Sequence, residues 1–187
     1  MICGIDEAGR GPLAGPVCAA AVILPPDFPL ELLGDSKKLK PPAREEARRL
    51  IIGRALAWGI GWASAAEIDR INILKASLLA MKRAFEELSR CFGPPPPGTE
   101  AVVDGLYVPD IPVPARPMVK ADAKVPPVMA ASILAKTSRD RLMEFYARVY
   151  PEYGYGGHKG YPTKAHREAI LRHGPSPIQR LTFTVKA

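Results

Sequence analysis

The chain has 187 residues, 47% hydrophobic and 24% charged, with a formal net charge of +7. This is a globular composition of one domain's length, spanning residues 1–187 around a single core. No stretch approaches the ~20 apolar residues of a membrane span, and the start lacks the basic-then-apolar pattern of a secretory signal, so a cytoplasmic protein without a membrane partner is expected.

Ile2 to Ile5 reads as a short apolar strand running into the glycine-rich segment Gly4-Ile5-Asp6-Glu7-Ala8-Gly9-Arg10-Gly11-Pro12. Cys18 to Leu24 is a continuous apolar run, a buried strand pairing with the first across the glycine turn. Asp35-Ser36-Lys37-Lys38-Leu39 is a polar connector, and Pro41-Pro42 opens a helix to about Leu56, since proline is tolerated in a first turn. Ala57 to Ala63 is a third strand. Over residues 66–91, Ile68, Ile71, Leu74, Leu78, Met81, Phe85 and Leu88 recur at spacings of three and four, predicting one long helix with an apolar core stripe. A proline-rich loop (Gly93 to Gly98) precedes a strand at Glu100 to Val103, ending at Asp104-Gly105. Another strand near Met118-Val119 ends at Asp122. A long helix from about Val128 to Val149 and a last one from about Thr163 to His173 complete the chain. The pattern is an α/β layered fold with a mixed sheet flanked by helices.

Three cysteines, Cys3, Cys18 and Cys91, form no CxxC pair and are odd in number, which points to free thiols in a reducing compartment, two of them buried. The 21 prolines beside a single Asn and a single Gln suit a thermophile or a GC-biased genome equally. The positive charge favours a polyanionic partner. Residues 151–187 carry six Lys/Arg against Glu152 and Glu168, so +4 of the +7 lies in this C-terminal portion.

Asp6, Asp104 and Asp122 each sit at the predicted end of a strand, where sites gather in layered α/β folds, and Glu7 adds a fourth acid. Acids that converge repel one another unless a cation neutralises them, and a two-metal site needs such a cluster. Adjacent strand residues point to opposite faces, so Asp6 and Glu7 serve one site only if the strand ends or bulges there, or if a backbone carbonyl substitutes for one side chain. Asp140 and Asp35 are the remaining candidates of this type; Asp140 lies mid-helix among basic residues as an ion-pair partner, and Asp35 caps or turns. His158 and His166 match no zinc spacing.

Taken together, Gly4 to Pro16, Val103-Asp104-Gly105, Ala121-Asp122-Ala123-Lys124 with Ala131-Ser132-Ile133-Leu134-Ala135-Lys136 and Arg139-Asp140-Arg141, and the segment His158 to His166 resemble the motifs of the type 2 ribonuclease H (ribonuclease HII) family, in family order and over nearly the whole chain. The resemblance implies the ribonuclease H-like fold with a small helical C-terminal portion beside the substrate groove. It implies that Asp6, Glu7, Asp104 and Asp122 bind two Mg²⁺ or Mn²⁺ ions. It makes Gly9, Arg10 and Gly11 the loop that senses a ribonucleotide 2′-hydroxyl, the group separating RNA from DNA. Lys37, Lys38, Lys136 and Lys159 become phosphate contacts and Tyr161 the reader of an RNA–DNA junction. The implied activity is hydrolysis 5′ to ribonucleotides, in RNA–DNA hybrids and at single ribonucleotides in duplex DNA, leaving 3′-hydroxyl and 5′-phosphate ends; a monomer is the default.

The chain departs from the pattern at Val125-Pro126-Pro127, which shifts the helix start and spares the acid. No N-terminal substrate-binding domain of the related type 3 enzymes is recognisable, and the Gly-Arg-Gly loop also favours type 2. The rivals are a noncatalytic nucleic-acid-binding module and a DNA-cutting integrase-like or resolvase-like nuclease on the same scaffold. A carboxylate tetrad argues against the first, because a pure binder gains nothing from negative charge in its groove. The Gly-Arg-Gly loop and the Lys-Gly-Tyr segment argue against the second.

Overall fold

The computed structural model describes residues 1–33 and 40–184. Strands β1 (Ile2–Ala8), β2 (Val17–Ile23), β3 (Ala57–Ala63), β4 (Glu100–Asp104) and β5 (Ala115–Met118) form one mixed sheet in the order β3-β2-β1-β4-β5. β2 runs antiparallel to both β1 and β3, whereas β4 is parallel to β1 and β5 parallel to β4. The helices are α1 (Pro41–Arg54), α2 (Ala65–Ile71), α3 (Ile73–Phe92), α4 (Pro126–Val149), α5 (Tyr155–His158) and α6 (Lys164–His173).

Strand alternation divides the apolar residues between two layers. Cys3 and Ile5 of β1, with Val17, Ala19, Ala21 and Ile23 of β2, meet Ala76, Ala80, Met81, Ala84, Phe85 and Leu88 of α3. Cys18, Ala20 and Val22 face the other way, onto Ala47 and Ile51 of α1 and Ala130, Ile133 and Leu134 of α4. Each large apolar side chain buried in either layer contributes about 1.5–3 kcal/mol. The start of α4 lies directly on β1: a Cβ at Gly4 would overlap the Pro127 carbonyl group and the Val128 nitrogen. That approach sets the next turns of α4 over Asp6.

The structure departs from the sequence reading in three places that matter for the site. The helix predicted over 66–91 is two helices, broken at Asn72, whose backbone is left-handed (φ 68°) and whose side chain accepts from the Lys75 N–H at 3.1 Å. The Asn72 side chain caps the helix that follows, so the apolar stripe continues across the break. The strand expected near 118–119 is Ala115–Met118, and a left-handed Lys120 (φ 59°) turns the chain into a short 3₁₀ turn, Ala121–Ala123, that carries Asp122. Pro126 and Pro127 lie within the first turn of α4 rather than ahead of it. Cys3 and Cys18 are buried free thiols, as expected, and Cys91 is exposed. Asp35, Lys37 and Lys38 fall outside the described residues, as does Lys186.

Candidate active site

Three elements bring the aspartates together. Asp6 lies in β1, Asp104 ends β4, and Asp122 sits in the 3₁₀ turn. A carboxylate oxygen from each lies within 4.8 Å of the other two. Two backbone bonds fix the geometry: the Ala121 N–H donates to Asp104 Oδ1 and the Glu7 N–H to Asp6 Oδ1, each at 2.7 Å. The first of these ties the 3₁₀ turn to the end of β4, and so sets Asp122 beside Asp104.

Glu7 stands outside this trio. β1 continues to Ala8 in unbroken register with β2, Asp6 opposite Ala20 and Glu7 opposite Ala19, so no bulge turns the two acids to one side. β4 pairs with β1 only as far as Ile5, however, which leaves the rim beyond it open on that flank. Both acids therefore line one cavity of about 170 Å³. Glu7 Oε1 pairs with Arg10 at 3.4 Å, while its Oε2 is buried without a hydrogen-bond partner among the described residues.

The electrostatics are those of crowded acids. Asp6 is only 5% exposed. Burial pushes its carboxyl far above the usual carboxylate range, and the charges of Glu7 and Asp104 push the same way against a hydrogen bond from Ser132 and the Glu7 N–H. Burial also raises Glu7, against the charge and hydrogen bond of Arg10. Such a set fits a hard divalent cation. Oxygens bound at about 2.0–2.6 Å are no more than roughly 4–5 Å apart, which the trio already meets, and the orphaned Glu7 oxygen offers a further ligand.

The rest of the cavity is basic and aromatic: Lys136 and Arg139 come from α4 with Ser132, and Tyr161 closes the far side beside Gly9. Lys136 Nζ is held at 2.8 Å by Asp140, which Arg44 also reaches at 3.5 Å, so Asp140 is the ion-pair partner its sequence setting indicated. Tyr161 lies opposite the loop, with room for little more than a methyl group between them: a Cβ at Gly11 would lie 3.7 Å from its ring. Behind Tyr161, His158 and His166 stack with centroids 4.5 Å apart. The His158 Nε2–H donates to the Tyr153 carbonyl at 2.9 Å and the His166 Nδ1–H to the Tyr161 carbonyl at 3.0 Å. Burial lowers both imidazole pKa values, and neutral rings holding carbonyls have a structural task. Lys159 turns away from the cavity: its ammonium donates to Glu144 at 3.1 Å and to the Gly156 carbonyl at 2.6 Å.

The chain matches the family model described as Ribonuclease HII over residues 3–186. A ribonuclease HII of Treponema denticola is 54% identical over 196 aligned positions, covering 100% of this chain and 99% of its own length. One from an Azoarcus species is 52% identical, covering 98% and 87%. The chain belongs to the ribonuclease HII family. It is accordingly a metal-dependent hydrolase of phosphodiester bonds with a ribonuclease H-like fold. The crystal structure of ribonuclease H2 from Pyrococcus horikoshii superposes with a TM-score of 0.73 at 26% identity, covering 98% of this chain and 94% of that one. The ribonuclease HII of Archaeoglobus fulgidus, solved as a complex with PCNA, gives 0.74 at 28% identity over 97% and 92%. A ribonuclease HIII solved with Mn²⁺ shares the fold at a TM-score of 0.77 and 19% identity, with 98% of this chain and 67% of that one covered. Among the described residues no helix is long and apolar enough to cross a membrane.

Sequence reasoning did not single out Ser132, Arg139 or Arg180. The first two carried a signal: Ser132, Lys136, Arg139 and Met143 follow at spacings of four, three and four, one stripe of α4. Polar side chains at helical spacing on the face that packs against the sheet mark the side of α4 that faces a site. Arg180 lies in irregular chain after α6, where no periodicity exists to read.

Proposed function

We propose that the protein is an endonuclease that cuts 5′ to ribonucleotides, in RNA–DNA hybrids and at single ribonucleotides within duplex DNA, leaving 3′-hydroxyl and 5′-phosphate ends. The observation that carries this reading is one cavity that Asp6, Glu7 and Asp104 share with Gly9 of the glycine loop and Tyr161, with Asp122 beside the first and third of these acids. Acids alone fit many phosphoryl-transfer enzymes; a bare-backbone loop facing an aromatic ring adds a place for a sugar edge.

Asp6, Asp104 and Asp122 would hold the divalent ions, with Glu7 supplying its unpartnered oxygen. When bound, two Mg²⁺ or Mn²⁺ ions supply Lewis-acid activation of water and neutralise charge on the scissile phosphate. The protein's own residues do the rest. Ser132 keeps the Asp6 carboxylate oriented by hydrogen bond. Lys136, steadied by Asp140, presents a cation to the phosphate. Arg10 exchanges its Glu7 contact for a substrate phosphate, since its own side chain is half exposed and the pair is held at only 3.4 Å. Gly9, Arg10 and Gly11 let the backbone reach the 2′-hydroxyl, and Tyr161 stacks on the neighbouring sugar. The basic residues of 151–187 favour the polyanion.

The test uses duplex DNA bearing one ribonucleotide, an all-DNA control and a long RNA–DNA hybrid, with the wild type and Asp104→Asn. A nick directly 5′ to the ribonucleotide, absent from all-DNA duplex and lost in the variant, supports the proposal. Cleavage of long hybrids alone would remove the junction-reading role of Tyr161, and cleavage of all-DNA duplex would favour the integrase-like reading.

A further inference from the structure

The Gly9-Arg10-Gly11 loop lies beyond the end of β1, where Arg180 bonds to it and Arg139 packs against Gly9. Arg139 and Arg180 are 1% and 0% exposed. Arg139 donates from Nε to the Pro16 carbonyl (2.9 Å), from Nη2 to Ala14 (3.1 Å) and from Nη1 to Lys159 (3.0 Å). Arg180 donates from Nε to the carbonyl of Gly15 (2.9 Å), from Nη1 to Arg10 (2.9 Å) and from Nη2 to Gly9 (2.6 Å). Six backbone carbonyls thus converge on two buried guanidiniums. Buried charges ordinarily sit against opposite charges; here the negative ends of peptide dipoles take that place, and the planar fork of arginine suits several carbonyls at once. The arrangement is costly, because burial first and the charge of Arg139 second pull the Arg180 pKa down to about 9. A Cβ at Gly9, where φ is +97°, would overlap the Arg139 guanidinium.

We infer that Arg139 and Arg180 form a hub that positions the Gly9-Arg10-Gly11 loop and the Tyr161 segment against each other, and so governs affinity for the ribonucleotide-bearing strand. The inference rests on the proposed substrate contacts of that loop and of Tyr161. In a trans peptide the C=O and N–H point in opposite directions. With the carbonyls of Gly9 and Arg10 turned onto Arg180, the N–H groups of Arg10 and Gly11 face away from the hub. Successive N–H groups presented together make a concavity for anionic or hydroxyl oxygen. The second arm of the hub reaches the opposite wall: Arg139 holds the Lys159 carbonyl, and the Leu13 N–H holds that of Gly160 at 2.8 Å. The gap between Gly11 and Tyr161 is therefore set by the two guanidiniums, and neither arginine has to touch the substrate. Both are positioning residues.

The experiment compares the wild type with Arg180→Ala and Arg180→Lys on duplex DNA carrying one ribonucleotide, reading kcat, KM and melting temperature. Arg180→Ala is also assayed with millimolar guanidinium chloride. The expected result is a KM raised about tenfold with kcat nearly unchanged, no recovery by lysine, whose single ammonium lacks the fork, and recovery of KM by added guanidinium in Arg180→Ala but no gain in the wild type. A folded Arg180→Ala with wild-type KM, or a loss confined to kcat, would overturn the inference. So would unfolding of both variants, which would make the pair a strut of the core. A wild type inactive on this duplex would overturn the substrate reading itself, and the inference with it.

Discussion

α3 and α4 cover opposite faces of the same sheet with 20 and 24 residues, yet they are built differently. α3 buries Ala76, Ala80, Met81, Ala84, Phe85 and Leu88, with Ser77 as its one buried polar residue. α4 buries Ala130, Ala131, Ile133 and Leu134 in its first half, then Thr137, Ser138 and Arg139 as well. The division runs down to neighbouring residues of β1: Ile5 enters the α3 layer, and Asp6 lies against Ser132 of α4. A layer that only holds the sheet can be dry and close-packed. A layer that also serves a site must bury charge and hydroxyl groups, and the stability they cost has to come from the other side.

Asp6→Asn gives the largest contrast. Activity should fall by at least about 10³-fold, while the metal-free protein becomes more stable at neutral pH. Because the folded-state pKa of Asp6 is raised, the wild type carries the penalty of a buried carboxylate above that value and loses it as pH falls through it. The gap in melting temperature between variant and wild type, measured with chelator, should thus be widest near pH 7 and close below the ordinary value of 3.8. A gap independent of pH would show that crowding of the acids does not govern this face.

A paired substitution separates the two faces directly. A Cβ at Gly4 would overlap Pro127 at the start of α4, and one at Gly61 would overlap the Ala80 carbonyl of α3. Each alanine substitution should cost about 1–3 kcal/mol by overpacking, read from chemical denaturation. Activity per folded molecule should drop in Gly4→Ala, because α4 carries Ser132 and Lys136, and stay near wild type in Gly61→Ala. Equal losses of activity would mean that the site depends on the sheet as a whole.

The smallest effect belongs to Ser64→Ala, on the α3 side. Ser64 caps α2: its Oγ accepts from the Glu67 N–H at 3.2 Å while Glu67 accepts from the Ser64 N–H at 2.8 Å. Removing the cap should cost about 1 kcal/mol and leave the kinetics unchanged.

Much of this was readable from the chain because local patterns and the global fold agree. The alternation in β1 and β2 and the stripe of α3 follow from periodicity, and three acids at the ends of elements pointed to one place, where the structure puts their oxygens. What escaped depends on single backbone residues or on long-range contacts. Asn72 breaks a helix without interrupting its stripe, so periodicity runs through it. Lys120 adopts a left-handed turn that takes Asp122 off the strand end and into a 3₁₀ turn. Asp6 and Glu7 are expected to share a site only through a strand end, a bulge or a backbone carbonyl in place of one side chain; instead the early end of β4 pairing, which no local pattern encodes, lets both reach the cavity. Arginine is rarely buried unpaired, and Arg180, in irregular chain after α6, has no periodicity to mark it as an interior residue.

The reach of Arg180 also orders events in time. It bonds to Gly9 across 171 positions of sequence. The Asp69 carboxylate secures the turn behind it by accepting from the N–H groups of Leu181 and Thr182, both at 2.9 Å. At about 5–20 residues per second, roughly 9–34 s separate the synthesis of Gly9 from that of Arg180. The five named strands are complete at Met118 and the aspartates at Asp122, so the residues of the sheet and the acids are all made well before the loop acquires its anchor. In that order of synthesis, the loop proposed to meet the ribonucleotide is the part of the site anchored after the acids, once Arg180 has emerged.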